Sequence, residues 1–228
     1  MNFTFGIITN NNANKFLEKI IDSIERLSIP NYEILIVGNT NISANNTRII
    51  FFDESLRKSW ITKKKNIITN EAIYENIVYL HDYILFDKNW YEGFLKYGSS
   101  FSVCMTPILN LDGTRFRDWS IWPHNNNFMD KVVLSNRQCL IPYDMSHLSP
   151  YMYISGSYWV AKKIVMLRYP LDENLSWGEG EDVEWSLRVR KRIQFSCNSF
   201  SQVHLLKQKD RAFEIADSEM SQKLILIK

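Results

Sequence analysis

At 228 residues the chain is long enough to bury roughly 70% of its unfolded surface in one domain, and its 45% hydrophobic and 23% charged residues exclude whole-chain disorder, collagen-like repeats and fibrous coiled coil. Lysine and arginine number 27 against 25 aspartates and glutamates, a formal charge of +2, too small for a surface that neutralises many phosphates along a duplex, so nucleic acid is not an expected partner. The three cysteines, Cys104, Cys139 and Cys197, are odd in number and form no CxxC pair, which argues against a disulfide framework or a zinc knuckle.

No basic segment followed by an apolar stretch opens the chain, and no run reaches the ~20 apolar residues of a membrane helix. The expectation is a protein without a transmembrane segment, cytoplasmic or peripheral to a membrane. Phe3 to Thr9 is apolar and β-prone. After a polar turn, Phe16, Leu17, Ile20, Ile21, Ile24 and Leu27 recur at helical spacing up to Pro30. Tyr32 to Val37 reads as a second buried strand ending at Gly38-Asn39, and strand, helix, strand at this length implies a parallel pair with a right-handed crossover.

Arg48 to Phe52 repeats the strand signal, 62–76 reads as helix, and Asn76 to Leu80 is a fourth strand running into His81 and Asp82 before a turn and helix. The fold class predicted is α/β, an open, twisted, mostly parallel sheet flanked by helices in a single domain. Ligands of such sheets bind beyond the carboxyl ends of the strands, which places Thr9, Asn10, Asn39, Asp53, His81 and Asp82 along one edge. Residues 106–150 lack periodicity and read as long loops, which are usually functional. Regularity returns in the strand-like stretch from Tyr151 to Lys162 and the helix from Glu181 to Arg192.

Two segments carry candidate chemistry. Glu179, Glu181, Asp182 and Glu184 crowd one helix start while Arg188, Arg190, Lys191 and Arg192 crowd its end, a pattern that complements the macrodipole by itself. Gly178 and Gly180 leave room for a ligand at that start, so a carboxylate of Glu181 or Asp182 could take a proton from an incoming hydroxyl. Asp82, at a strand's carboxyl end, is placed either to cap the turn or to help hold a hard divalent cation on a diphosphate. The tryptophans divide in the same way between core and ligand contact; Trp119 and Trp122, in an irregular polar stretch beside Arg117 and Asp118, are the better contact candidates.

Taken in order, these segments resemble the family 2-like glycosyltransferases of the GT-A fold, over nearly the whole chain. Phe5-Gly-Ile-Ile-Thr-Asn10 looks like the first strand and donor loop, Leu80-His-Asp-Tyr83 like the acidic DxD position with one acid in place of two, and Lys64-Lys65-Asn66 like the family's Ala-Arg-Asn. Ile154 to Lys163 is similar to the segment before the acceptor site, Gly180-Glu-Asp-Val-Glu-Trp-Ser-Leu-Arg188 to the Glu-Asp helix, and Val203-His204 to a late metal-binding histidine.

The resemblance implies an inverting glycosyltransferase that moves a sugar from a nucleotide-diphosphate sugar to a hydroxyl of a glycan or glycoconjugate. Residues 1–110 would form the nucleotide-sugar half and 111–228 the acceptor-binding and catalytic half. Asp182 would be the general base with Glu181 beside it. Thr9, Asn10, Asn39, Asp53, Lys65, Asn66, His81 and Asp82 would meet the donor, and Trp119, Trp122, Trp159 and Gly180 the acceptor. Asp82 and His204 would hold Mn2+ or Mg2+. The alternative is a degenerate GT-A domain that binds a nucleotide sugar or glycan without transfer. A dinucleotide-dependent oxidoreductase is disfavoured because no GxGxxG follows the first strand, and a sugar nucleotidyltransferase because no Gly-rich lysine loop does.

Overall fold

Every residue of the first strand, β1 (Phe3–Ile8), is buried, the signature of a strand covered on both faces. The computed structural model describes residues 1–10, 14–121, 139–210 and 213–214, and β1 lies inside its seven-stranded sheet. In chain order the elements are α1 (Asn14–Glu25), β2 (Tyr32–Val37), β3 (Thr47–Ile50), α2 (Ile61–Glu71), β4 (Asn76–His81), β5 (Ile84–Phe86), α3 (Trp90–Tyr97), β6 (Val103–Met105), β7 (Ile108–Leu109), β8 (Ser120–Ile121), β9 (Cys139–Leu140), β10 (Met152–Tyr153), β11 (Tyr158–Lys162), α4 (Lys163–Arg168), α5 (Glu181–Val189), β12 (Phe195–Cys197), β13 (Val203–Leu205) and β14 (Phe213–Glu214). The central sheet runs β12-β6-β11-β4-β1-β2-β3. Its pairs are parallel except at β11, which is antiparallel to both β4 and β6. No described helix is long and apolar enough to cross a membrane.

Alternation along the strands builds two cores. Phe3, Phe5 and Ile7 face the helical stripe Leu17, Ile20, Ile21 and Ile24 of α1. On the other side Leu35, Val37 and Tyr79 meet Ile68, Trp159 and Trp185. Gly6 leaves room for α2 against the sheet: a Cβ there would sit 2.3 Å from the Ile68 side chain.

Two additions carry chain to the carboxyl ends of β1 and β4. In the first, β11 pairs Tyr158 with Leu80 and the Ser157 carbonyl accepts the His81 N–H at 3.0 Å, so the bend before β11 sits beside the end of β4. In the second, a small sheet of order β5-β13-β7 delivers the C-terminal chain over the same edge, where the Leu206 N–H donates to the Tyr83 carbonyl at 2.8 Å.

The parallel β1, β2, β4 frame agrees with the sequence reading, but α5 stops at Val189 short of the expected Arg192, β3 is Thr47–Ile50 in place of Arg48 to Phe52, and three further differences have a visible cause or consequence. The helix expected over 62–76 ends at Glu71, where the chain turns extended at Ala72 and the Ile73 N–H is held by the Glu33 carboxylate at 2.6 Å. The stretch from Tyr151 to Lys162 breaks into β10 and β11, because the Ile154 N–H turns aside to the Ser186 hydroxyl at 3.0 Å. Within 106–150 the described part contains short strands and a 3-10 turn at Ser146–Tyr151, and Trp122 lies outside the described residues.

Trp119 corrects an expectation. It is fully buried in the second core, and its neighbour Asp118, also fully buried, ties the segment inward by accepting from Arg115 (2.7 Å), the Trp119 N–H (2.6 Å), the Ile108 N–H (3.1 Å) and the Tyr143 hydroxyl (2.8 Å). Neither is available as an acceptor wall. Replacing Trp119 by alanine should therefore lower unfolding stability in urea by about 3 kcal/mol, the lower end for a buried tryptophan because its Nε1 has no partner among the described residues.

Candidate active site

Two cavities open side by side beyond β1 and β4. One, about 270 Å³, is lined by Thr9, Asn10, Ser59, Lys64, Asp82 and Lys207 among others. The other, about 350 Å³, is lined by Arg117, Ser155, Gly156, Ser157, Gly180, Glu181 and Asp182 among others. His81, Tyr83, Trp177 and Lys209 line both.

In the first cavity the Thr9 hydroxyl donates to Asp82 Oδ2 at 2.7 Å. Burial pushes the Asp82 carboxyl up, while Thr9 and the charges of Lys207 and Lys64 oppose the rise. Lys64 is almost fully buried, donating to the Thr9 carbonyl at 2.7 Å and pairing with Glu54, so its ammonium fastens the end of β1. His81 is held neutral: burial, then Lys65 and the lysines after β13, push its imidazole well below the ordinary value. Its Nε2 is buried without a partner among the described residues.

The second cavity is organised by the backbone of one residue, Gly156. The Gly156 N–H donates to Asp182 Oδ2 at 2.9 Å, and the Gly156 carbonyl accepts the Lys65 ammonium at 2.7 Å. Asp182 Oδ1 accepts its neighbour's N–H, that of Val183, at 2.9 Å. The helix begins after Gly180 in the left-handed region, φ 76°, a conformation in which glycine carries no Cβ penalty. Burial, and then the Asp182 charge, push the Glu181 carboxyl up, with Lys65 opposing. Lys65 itself is lowered to about 8 by burial, with Glu181 and Asp182 resisting, and its Nζ lies 4.6 Å from the Trp159 ring centre.

The structure thus brings Thr9, Asn10, His81, Asp82, Gly180, Glu181 and Asp182 to the two cavities, with Lys65 anchored between them through Gly156. Other expected residues lie elsewhere. Asn66 spends its amide on the Leu171 carbonyl and N–H, at 2.9 and 3.0 Å, and on Glu173 at 3.0 Å, which makes it a staple between α2 and the 171–175 loop. Trp159 is fully buried and stacked on Tyr79 at 4.7 Å, so it supports Lys65 from beneath and offers no face to a sugar. Asn39 and Asp53 line neither cavity; Asp53 is exposed and lowered by its Ser55 hydrogen bonds.

His204 is drawn to Asp87, 3.5 Å from its Oδ2, and to Gln202, and it too lines neither cavity. Asp82 and His204 therefore do not assemble into the expected cation site. Among the described residues no group of three His, Cys, Asp or Glu side chains could hold a metal ion, and the lone acid of the first cavity already takes a hydroxyl donor and faces lysines. This donor set does not fit a divalent cation.

Sequence reasoning missed Tyr83, Gly156, Lys207 and Lys209. For the last two a signal existed, since two lysines at i and i+2 just beyond a strand project to the same side of extended chain.

No protein-family model matches the chain, and no curated protein matches it. Solved structures do. The crystal structure of GalNAc-T7 with UDP, GalNAc and Mn2+ aligns with a TM-score of 0.67 at 12% identity, over 93% of this chain and 45% of that one. The crystal structure of S. aureus TarS aligns at 0.54 and 12% identity over 99% and 38%, and that of TarS 1-349 in complex with UDP-GlcNAc at 0.53 and 12% over 96% and 59%. The fold is the GT-A fold. At this identity the likeness speaks for the fold alone, and the chain spans less than two thirds of the length of each of these proteins.

Within this GT-A domain two outcomes are expected. A Cβ at position 156 would lie 2.9 Å from Asp182 Oδ2 and 3.0 Å from Glu181 Oε1, so Gly156→Ala should displace both carboxylates and lower unfolding stability in urea by about 1 kcal/mol while the circular-dichroism spectrum stays native. Lys65 has a folded-state value near 8 against an ordinary 10.5. Its contribution to stability is therefore complete above 10.5 and lost as pH falls through about 8. Between pH 8 and 10 the wild type should gain stability more steeply than Lys65→Met, by as much as about 1.4 kcal/mol per pH unit. Denaturant titrations at three pH values read the difference.

Proposed function

We propose that the chain is an inverting glycosyltransferase acting on a nucleoside-diphosphate sugar, with a glycan or glycoconjugate hydroxyl as acceptor. The observation that carries this reading is the juxtaposition of a lysine-bordered cavity beyond β1 and β4 with a second cavity bearing Glu181 and Asp182. Four residues are shared between them. A donor lying across that shared wall has its anomeric carbon turned toward the carboxylates and its diphosphate toward the lysines. The GT-A fold, and the UDP and UDP-GlcNAc held by the neighbours above, support a uridine nucleotide as the first donor to try.

In the reaction the acceptor oxygen attacks the anomeric carbon from the face opposite the diphosphate, and Asp182 takes its proton. The bond from the anomeric carbon to the phosphate oxygen breaks, and its electron pair leaves with the nucleoside diphosphate, so configuration inverts. Asp182 is pre-positioned for this by two backbone N–H donors that fix its carboxylate without neutralising it. Glu181, pushed up by burial and then by the Asp182 charge, stands beside it on the wall of the same cavity. Trp177, 63% exposed at the mouth of both cavities, replaces Trp119 and Trp159 as the aromatic face for a sugar.

Asp182→Asn keeps shape and removes the proton acceptor, so transfer from a UDP-sugar should fall 10²- to 10⁴-fold with donor affinity nearly unchanged. Chromatographic product assays on a panel of acceptors, paired with calorimetric donor titration, read both. Near wild-type turnover in the variant would remove Asp182 as the base. Tight donor binding with no transfer to any acceptor by the wild type would favour the non-catalytic alternative.

A further inference from the structure

Lys207 and Lys209 follow β13 at i and i+2, and their ammonium groups lie 3.8 and 5.1 Å from the centre of the Tyr83 ring. Backbone bonds hold the segment at both ends: the Leu206 N–H on the Tyr83 carbonyl at 2.8 Å, and the Lys209 N–H on Asn110 Oδ1 at 3.0 Å. Both lysines line the first cavity, Lys209 also lines the second, and Arg117 lines the second. The Arg117 backbone is left-handed at φ 30°, a costly conformation for a non-glycine residue that tends to persist at ligand sites.

Among the described residues neither lysine has a carboxylate in salt-bridge range. Desolvation, and next the charges of Lys207 and Arg117, push Lys209 below its ordinary value, with Asp210 opposing, so Lys209 is repelled by both other cations. Gathering like charges in a half-enclosed site is unfavourable unless an anion joins them. The same cavity offers a divalent cation one carboxylate, Asp82, already engaged by Thr9 and facing Lys207.

We propose that Lys207 and Lys209, with Arg117 at the rim, form a metal-independent clamp for the diphosphate of the donor and stabilise the charge that develops on it as it leaves. This rests on the donor reading above. The clamp replaces the Asp82–His204 cation site, and Asp82, steadied by Thr9, is left to accept a hydroxyl of the donor. Fixed ammonium groups do the work of a Lewis acid electrostatically: they are already in place when charge moves onto the phosphate oxygens, so little reorganisation accompanies the step.

The test is calorimetric titration of the full chain with UDP and, separately, inorganic pyrophosphate, in EDTA and in MnCl2. UDP should bind in EDTA within about twofold of its affinity in MnCl2. A Lys207→Gln/Lys209→Gln double variant should lose tenfold or more in both buffers, since each charge-assisted contact is worth about a factor of ten. Wild-type affinity should fall with added salt more steeply than the variant's. Both lysines are at or near the surface, and an unchanged melting temperature confirms that the variant is folded; the single variants serve where it is not. UDP binding that needs manganese, or that the lysine variants retain, overturns the clamp and leaves the donor reading standing. Lysine-dependent pyrophosphate binding in EDTA, with no binding of UDP, GDP, ADP or CDP, upholds the clamp and overturns the donor reading. Binding of neither pyrophosphate nor any nucleotide overturns both.

Discussion

The backbone of Gly156 is the point on which the site depends. Its N–H fixes Asp182, its carbonyl fixes Lys65, and the missing side chain leaves room for Glu181 and Asp182 to approach within contact distance. That residue is where it is because β11 enters antiparallel beside β4, pairing Tyr158 with Leu80, so that the bend preceding β11 must lie against the end of β4. A parallel strand in the same slot would present its opposite end there. The single reversed strand in a mostly parallel sheet is thus what converts an ordinary strand-end crevice into a crevice with a second wall.

Around this corner the chain separates positive from negative charge. Lysines collect beyond β1 and after β13, carboxylates at the start of α5, and Lys65 sits between them at the boundary. Lys65 is buried, so its charge is supported by the Gly156 carbonyl, the Trp159 ring and the two nearby carboxylates and by little solvent. Removing any one of these changes the balance for the others, since all act through a region of low dielectric.

Most of the fold was legible in the sequence because period and composition agreed. Strand runs such as Tyr32 to Val37 and the helical stripe from Phe16 to Leu27 have one reading each, and β1, α1, β2 and β4 follow them. The start of α5 was legible because Gly180 and the acidic first turn mark a helix terminus directly. What could not be read is which side of the fold a residue faces once the pattern fails. Trp119, Trp159 and Trp177 are equivalent in composition, yet the first two are fully buried and the third is at the mouth of the cavities. Asn66 looked like a ligand contact because its position in a motif was visible and its partner Leu171, 105 residues away, was not. His204 was placed by order along the chain, whereas its direction is set by Asp87 on the neighbouring strand connection.

In the transfer proposed above, negative charge would move from the acceptor oxygen to the departing phosphate, that is, from the α5 side of the shared wall to the β13 side. The fixed charges are arranged along that path: carboxylates where a proton must be taken up, ammonium groups where an anion is left. His81, lying on the wall itself, is held neutral by burial and by the surrounding lysines, so it neither attracts the diphosphate out of the first cavity nor competes with Asp182 for the proton. A protonated histidine at this point would flatten the field between the two cavities, and burial keeps it from forming.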